Sequence, residues 1–510
     1  MNTTPSLKSA NQLFLVVILL MVTLGTLIQA WSTTIGLLIT EIFLILAPAL
    51  LFLRIQRLPL AETIRWRWPG AAPAAFSLLA GLSIGVLAQW YGSFLVQWFG
   101  YRLGVTPDFY PTNLGQALIL LTGMVVLAPL CEEILFRGVI QRAYEPYGTG
   151  RAILWVGLLF ALFHLSFLRL FAILPIALVL GWVAWRTHSI ASSILVHFAY
   201  NLPSTLLIIL SSLRPDISQE WTAALPVALL ALAAGLLALW RLHHITPAPS
   251  PQPEPAPRGS LVARLLPLAA AIVVYLFFAG SELFVNRYPQ YLVTRTFTLQ
   301  PGRWTQEKHL AYELRDRRDQ PAGQATCTQR PVSQGFQLEC QVHQEAYDVQ
   351  VGFSRYISAG YDYHFSSLWG SEALALLEAE GDWRNPAGDA YRYQLNGQTL
   401  HVEPAGGQPE ELALPQGTML ANEWPWKING LAFTIGLIEQ VELAKPQPEP
   451  ALQEEILIVT GAEPLATPGG NYLAWRVEVG QQSAWYDVNE PHTLLRYDDG
   501  QVTYVLTGIQ

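Results

Sequence analysis

Charged residues are scarce in this chain: only 13% of its 510 residues are Asp, Glu, Lys or Arg, against roughly a quarter in ordinary soluble domains. Together with 52% hydrophobic residues and a mean hydropathy of +0.30, this excludes both a single soluble domain and a disordered chain. Cysteine is also rare, and three residues cannot build a disulfide scaffold. Cys131 lies in an apolar run, while Cys327 and Cys340 lie in a polar region, where they either bridge in an oxidising compartment or stay as two unpaired thiols. No basic stripe with interleaved aromatics is present, so nucleic acid is not expected as a partner.

What charge there is segregates along the chain. Residues 1–290 hold 16 Lys and Arg against 10 Asp and Glu, and residues 291–510 hold 14 against 28. A weakly basic, very apolar part therefore precedes an acidic, water-compatible one. An α-helix needs about 20 apolar residues to cross a bilayer core. Runs of that kind fall near 12–30, 33–53, 72–95, 115–143, 152–167, 170–186, 190–211, 222–240 and 262–284, with 152–167 the shortest. The first has only Lys8 ahead of it and leads straight into the second, which reads as an uncleaved helix rather than a signal peptide.

Basic residues in short loops set the expected orientation. Arg54, Arg57, Arg65, Arg67, Arg137, Arg142, Arg151, Arg186, Arg241, Arg258 and Arg264 all fall on one side if the N-terminus is cytoplasmic. Nine spans then place the acidic tail outside the cytoplasm, where Cys327 and Cys340 can oxidise. The plasma membrane is the expected location.

The expected organisation is a mainly α polytopic bundle of about eight spans over 1–245, a proline-rich linker at 246–260, an anchor helix at 261–285 and a mainly β soluble domain at 290–510. The linker reads TPAPSPQPEPAP over 246–257, a polyproline-like spacer. Beyond 290 the pattern is of short alternating strands, such as Gln337–Val342, Tyr347–Phe353 and Trp475–Val479, with turns at Asn396-Gly397, Gly469-Gly470 and Asp499-Gly500. Ser371–Glu380 reads as helical, and the Pro-rich segment at 446–450 reads as a division between two lobes.

Ionisable groups at bilayer depth are costly and point to function. The fourth span contains Glu132-Glu133 with Arg137, the fifth ends in Phe160 and His164, and the seventh contains His197 and Asn201. Adjacent residues on a helix point about 100° apart. Glu133 and Arg137, four apart, therefore share a face and can pair, which leaves Glu132 directed elsewhere as a candidate base. At 1.5 Å per residue, Glu132, His164, His197 and Asn201 lie roughly 18, 21, 12 and 18 Å from the same ends of their helices, so they can meet in one buried cavity. Phe160 and Tyr200 read as packing residues, and His243-His244 as interfacial. His309, His343, His364, His401 and His492 show no metal-ligand spacing.

These three motifs, E-E-x-x-x-R, F-x-x-x-H and H-x-x-x-N in that order, with Leu135-Phe136-Arg137-Gly138, resemble those of the CPBP family of intramembrane proteases. That family includes the type II CAAX prenyl endopeptidases and the lysostaphin-resistance-like proteins. The resemblance covers about 115–210 and does not explain the tail. It implies that Glu132 and His164 activate water, that His197 and Asn201 donate to the tetrahedral oxyanion, and that Glu133 and Arg137, with Phe160, support the geometry. No cofactor is assigned. A zinc ion held by Glu132, His164 and His197 is the alternative, although the H-E-x-x-H helix of common zinc proteases is absent. The implied partners are the bilayer and a membrane-associated or lipidated protein or peptide substrate. A non-catalytic binding or immunity protein that works through its tail is the competing reading.

Overall fold

The computed structural model describes residues 4–102, 104–217, 224–247, 261–289, 306–352, 354–370, 375–430 and 432–509. They form two compact units, residues 1–102 with 108–287 and residues 103–107 with 288–510. The first is a helical bundle and the second a large β-sheet domain. The proline-rich linker falls outside the described residues from 248 onward.

Eight helices of the first unit are long and apolar enough to cross a membrane. They are α1 Leu7–Trp31, α2 Thr33–Ile55, α3 Ala71–Phe99, α4 Leu114–Tyr147, α6 Phe167–Thr187, α7 Ile190–Leu213, α8 Leu225–Ile245 and α9 Leu261–Arg287. Between α4 and α6 lies the shorter α5, Thr149–Phe163. Its 15 residues span about 22 Å at 1.5 Å per residue, short of the roughly 30 Å hydrocarbon core. Only residues 164–166 separate α5 from α6, so the two form a hairpin whose outer ends face the same way. Whether or not α5 crosses fully, the hairpin returns the chain to the side it left.

The helix expected to anchor the tail packs within the helical unit. α9 runs beside α1, and Asn11 Nδ2 donates to Arg264 O at 2.9 Å. At one end of the bundle Arg65 grips Glu145 through both guanidinium nitrogens, at 2.8 and 2.6 Å, and Arg142 joins the same carboxylate at 2.5 Å. This buried pairing ties the loop after α2 to the end of α4.

The second unit is a 15-stranded sheet with a separate two-stranded hairpin. One half of the sheet is built from β1 Lys308–Arg315, β2 Pro321–Val332, β3 Gly335–Gln344, β6 Tyr361–Gly370, β7 Leu376–Arg384, β8 Ala390–Asn396, β9 Thr399–Pro404 and β10 Glu410–Ala413, in that spatial order. The hairpin, β4 Tyr347–Val351 with β5 Ser354–Ser358, lies between β3 and β6 in sequence. The other half runs β17 Thr503–Ile509, β16 Leu494–Asp498, β15 Gln482–Asp487, β14 Gly470–Val479, β13 Ala451–Thr467, β12 Ile438–Lys445 and β11 Met419–Leu420. β1 pairs with β17 and joins the halves. Neighbours are antiparallel except β11 with β12. Residues from both halves share one apolar core around a short helical turn, α10 Trp424–Lys427.

Cys327 and Cys340 face each other across β2 and β3 and form a disulfide. Two expectations are corrected here. Residues 376–380, read as helical from their Leu, Ala and Glu content, are strand: β7 is laddered to β6 and β8 on both sides, and those cross-strand bonds outweigh local propensity. Residues 371–374 lie outside the described ones. The segment at 446–450 does not divide two lobes. It is the turn of a hairpin in which β12 and β13 pair from Lys445 with Ala451 to Ile438 with Ile458.

The α10 turn buries an acid and a base four residues apart, Glu423 at 1% and Lys427 at 2% exposure. Burial pushes the Glu423 carboxyl up to about 7 and the Lys427 ammonium down to about 8. A raised acid binds its proton more tightly in the fold, so its contribution is present below pH 4.5 and is lost as pH rises towards 7. A lowered base sheds its proton in the fold, so stability is regained as pH rises from 8 to 10.5. Relative to the double variant Glu423→Gln, Lys427→Met, the wild type should therefore be least stable between pH 7 and 8 and should gain on either side. Tryptophan-monitored unfolding of the full chain across pH 5–10 checks this, and a flat difference would refute it.

Candidate active site

Prolines shape the helices that bear the motif residues. Pro129 in α4 has no N–H, and its ring crowds the carbonyl four residues back. The preceding segment, Thr122–Leu127, adopts a wider π-helical turn in which Ala128 N bonds Gly123 O. The next carbonyl in that ladder, Met124 O, would need the N–H that Pro129 lacks. Asn201 of α7 fills the gap: its Nδ2 donates to Met124 O at 2.8 Å. A second π-helical turn, Ile134–Ile140, follows the paired glutamates. A third, Thr40–Leu46 ahead of Pro48, bears Glu41 in α2.

Two glycines of α3 admit α7. A Cβ on Gly81 would lie 2.2 Å from Val196 O, and one on Gly85 would lie 2.5 Å from Tyr200 O. No side chain fits there, and the spacing of four places both on the face that the α7 backbone meets. These contacts bracket His197.

At the centre Glu133 is fully buried. Its Oε1 accepts Arg137 Nη1 at 2.9 Å and His197 Nδ1 at 3.0 Å. Arg137 also donates Nη2 to Ala177 O of α6 at 3.0 Å, and its guanidinium lies 4.3 Å from the centre of the Phe160 ring. A carboxylate only accepts hydrogen bonds, so Nδ1 of His197 carries a proton and Nε2 faces away. Nε2 lies 3.8 Å from Glu132 Oε2, beyond hydrogen-bond reach. Glu132, 7% exposed, thus stands beside an oriented imidazole without being locked to it.

His164 closes α5 and donates Nδ1 to Phe160 O at 3.0 Å, because a carbonyl only accepts. Its other nitrogen is left as an acceptor. His164 joins the cluster through the Phe160 ring, which lies 5.3 Å from its own ring and 5.7 Å from that of His197. The fold thus gathers Glu132, Glu133, Arg137, Phe160, His164 and His197, while Asn201 sits one turn along α7 with one N–H committed to Met124. A 560 Å³ apolar groove lined by Ile153, Leu178, Trp182, Leu239 and Trp240 lies elsewhere and includes none of these residues.

The motif reading missed two acids. Glu41 of α2, 4% exposed, lies in a turn that packs against the Ala128–Glu133 segment of α4, and its Oε2 has no hydrogen-bond partner among the described residues. Glu282 of α9 lies near the turn after His164. Each is a lone acid in an apolar run, a signal in itself at bilayer depth. As for zinc, no three His, Cys, Asp or Glu side chains among the described residues converge on a metal-ligand arrangement. The donor set does not fit that alternative.

Residues 114–203 match the family described as type II CAAX prenyl endopeptidase, Rce1-like, which supports the resemblance read from the three motifs. That segment contains every motif residue. No curated protein matches the chain. Among solved structures, a β-barrel-like protein of a domain of unknown function from Brucella abortus is similar at 10% identity and a TM-score of 0.28, over 41% of this chain and 98% of that one.

The two neighbouring glutamates should separate in stability measurements. Glu133→Gln leaves the buried Arg137 without its counter-charge, a change that costs about 3–5 kcal/mol in comparable sites. Glu132→Gln breaks no hydrogen bond among the described residues. Thermal unfolding in detergent should show a large drop for the first and little change for the second. Equal drops would mean that Glu132 is also a structural partner.

Proposed function

We propose, from the likeness of residues 114–203 to type II CAAX prenyl endopeptidases, that this multi-pass membrane protein is an intramembrane endopeptidase acting on membrane-associated or lipidated proteins. The observation that supports this most is the division of labour between adjacent carboxylates: Glu133 is consumed by Arg137 and His197, and Glu132 is not. Glu132 takes the proton of a water as that water attacks the scissile carbonyl, and the free nitrogen of His164 orients the water or relays that same proton from Glu132 to the leaving amine. His197, held by Glu133 through Nδ1, is the first candidate oxyanion donor. Its Nε2–H then faces the developing oxyanion, together with the remaining N–H of Asn201. The protein supplies a preformed site in which little must reorganise as charge develops.

Wild type should cleave co-expressed membrane or lipidated reporters. Glu132→Ala, equally folded and inserted, should lose about 100-fold or more, with no effect of a chelator. Loss on chelation would transfer the chemistry to a metal. Equal cleavage by wild type and variant would leave the binding or immunity reading.

We further propose that the N-terminus is cytoplasmic, that the protein resides in the plasma membrane and that the β unit lies outside. The basic loops and the Cys327–Cys340 disulfide support this, and the parity of spans holds whichever way the short α5 counts. A reporter active only outside the cytoplasm, fused at the C-terminus, should be active there and silent after α8. The reverse pattern would invert the orientation.

A further inference from the structure

The turn that holds His164 is short and strained. Residues 164–166 alone link α5 to α6, and Leu165 sits at φ +53, in the left-handed region that L side chains rarely adopt. Such a turn persists only when its surroundings over-determine it. Part of the support is local: Ser166 Oγ accepts Arg169 N at 3.2 Å and caps α6. Further support comes from α9, more than a hundred residues later in the chain.

Glu282 of α9 accepts the Phe167 N–H at 2.5 Å and the Ser166 hydroxyl at 2.8 Å. Tyr101, just after α3, donates its hydroxyl to the same carboxylate. One turn on, Asn286 accepts the Arg102 N–H at 3.0 Å and donates Nδ2 to Glu282 O at 3.0 Å. The carboxylate therefore sits at the N-terminus of the 21-residue α6, where unpaired N–H groups and the helix dipole favour negative charge. It is two residues from His164 at Ser166 and three at Phe167. The match to known proteases ends at residue 203, so this contact comes from a helix outside the matched segment.

We infer that Glu282 is a positioning residue for His164, making α9 part of the working site rather than only a tether for the β unit. This rests on the endopeptidase reading above. The carboxylate touches neither substrate nor reacting atoms. It fixes where α6 begins, and through Ser166 and Leu165 it fixes the depth and tilt of the His164 ring. Loss of the carboxylate should leave substrate binding intact and misplace His164, and misplacements on the ångström scale cost about 100-fold in well-studied enzymes.

The test uses the full chain in detergent or vesicles, with wild type, Glu282→Ala, Glu282→Gln and Glu132→Ala in parallel. Glu282→Ala should lower kcat by about tenfold or more with KM within about twofold. Glu282→Gln, which keeps an acceptor oxygen, should recover most of that loss. Independently of activity, amide hydrogen exchange over residues 165–170 should be at least about tenfold faster in Glu282→Ala and unchanged in Glu132→Ala. Unchanged exchange in Glu282→Ala would overturn the inference, because the turn would then not depend on the carboxylate. So would faster exchange with unaltered kcat, or a loss confined to KM, while Glu132→Ala is inactive. If Glu132→Ala cleaves as well as wild type, the endopeptidase reading itself fails and takes this one with it.

Discussion

One carboxylate, Glu133, holds the helical unit's polar centre together. It neutralises a buried guanidinium and fixes an imidazole with the same oxygen. In an apolar bundle an unpaired Arg137 would be prohibitive, and Arg137 in turn reaches α6 through Ala177 O and lies against Phe160 of α5. Four helices, α4, α5, α6 and α7, are thus registered by a single ion pair. The chemistry proposed for Glu132 depends on that arrangement, since a carboxylate is available as a base only if its neighbour meets the structural demand.

Backbone constraints do the remaining placement. Pro129 removes a donor, the helix widens, and the carbonyl this strands at Met124 is claimed by Asn201. Gly81 and Gly85 let the α7 backbone pack directly on α3 on either side of His197. The placement of α7 thus rests on missing atoms elsewhere: an N–H in α4 and two side chains in α3.

Much of the site was legible in the sequence because its members come in pairs spaced by four on apolar helices: Glu133 with Arg137, Phe160 with His164, His197 with Asn201. The helical period alone puts each pair on one face. Glu41 and Glu282 were not legible as partners, since each is a single acid whose counterpart lies in a distant helix. Nor does any spacing show that Glu133 serves His197 as well as Arg137, or that Asn201 serves Met124. In the β unit, alternation marked strands such as Gln337–Val342 and the glycine turns marked hairpins. Ser371–Glu380 misled because composition reports local preference and not the ladders on either side of β7. The prolines at 446–450 misled because the same residues that stiffen a linker also serve as a tight hairpin turn.

The sheet closes at its middle with its last strand. β17 ends the described chain, yet it pairs with β1, the first strand of the unit, and separates eight strands on one side from six on the other. During synthesis the half from β1 to β10 is complete long before β17 leaves the ribosome, and all that time β1 presents an unpaired edge. Exposed edges of that length invite pairing with another chain, and joining the two ends of a unit of some two hundred residues is a slow, non-local event. The residues of β17 are therefore the ones that join the two halves. A chain that lost them would lose a seam at its centre rather than a strand at its margin.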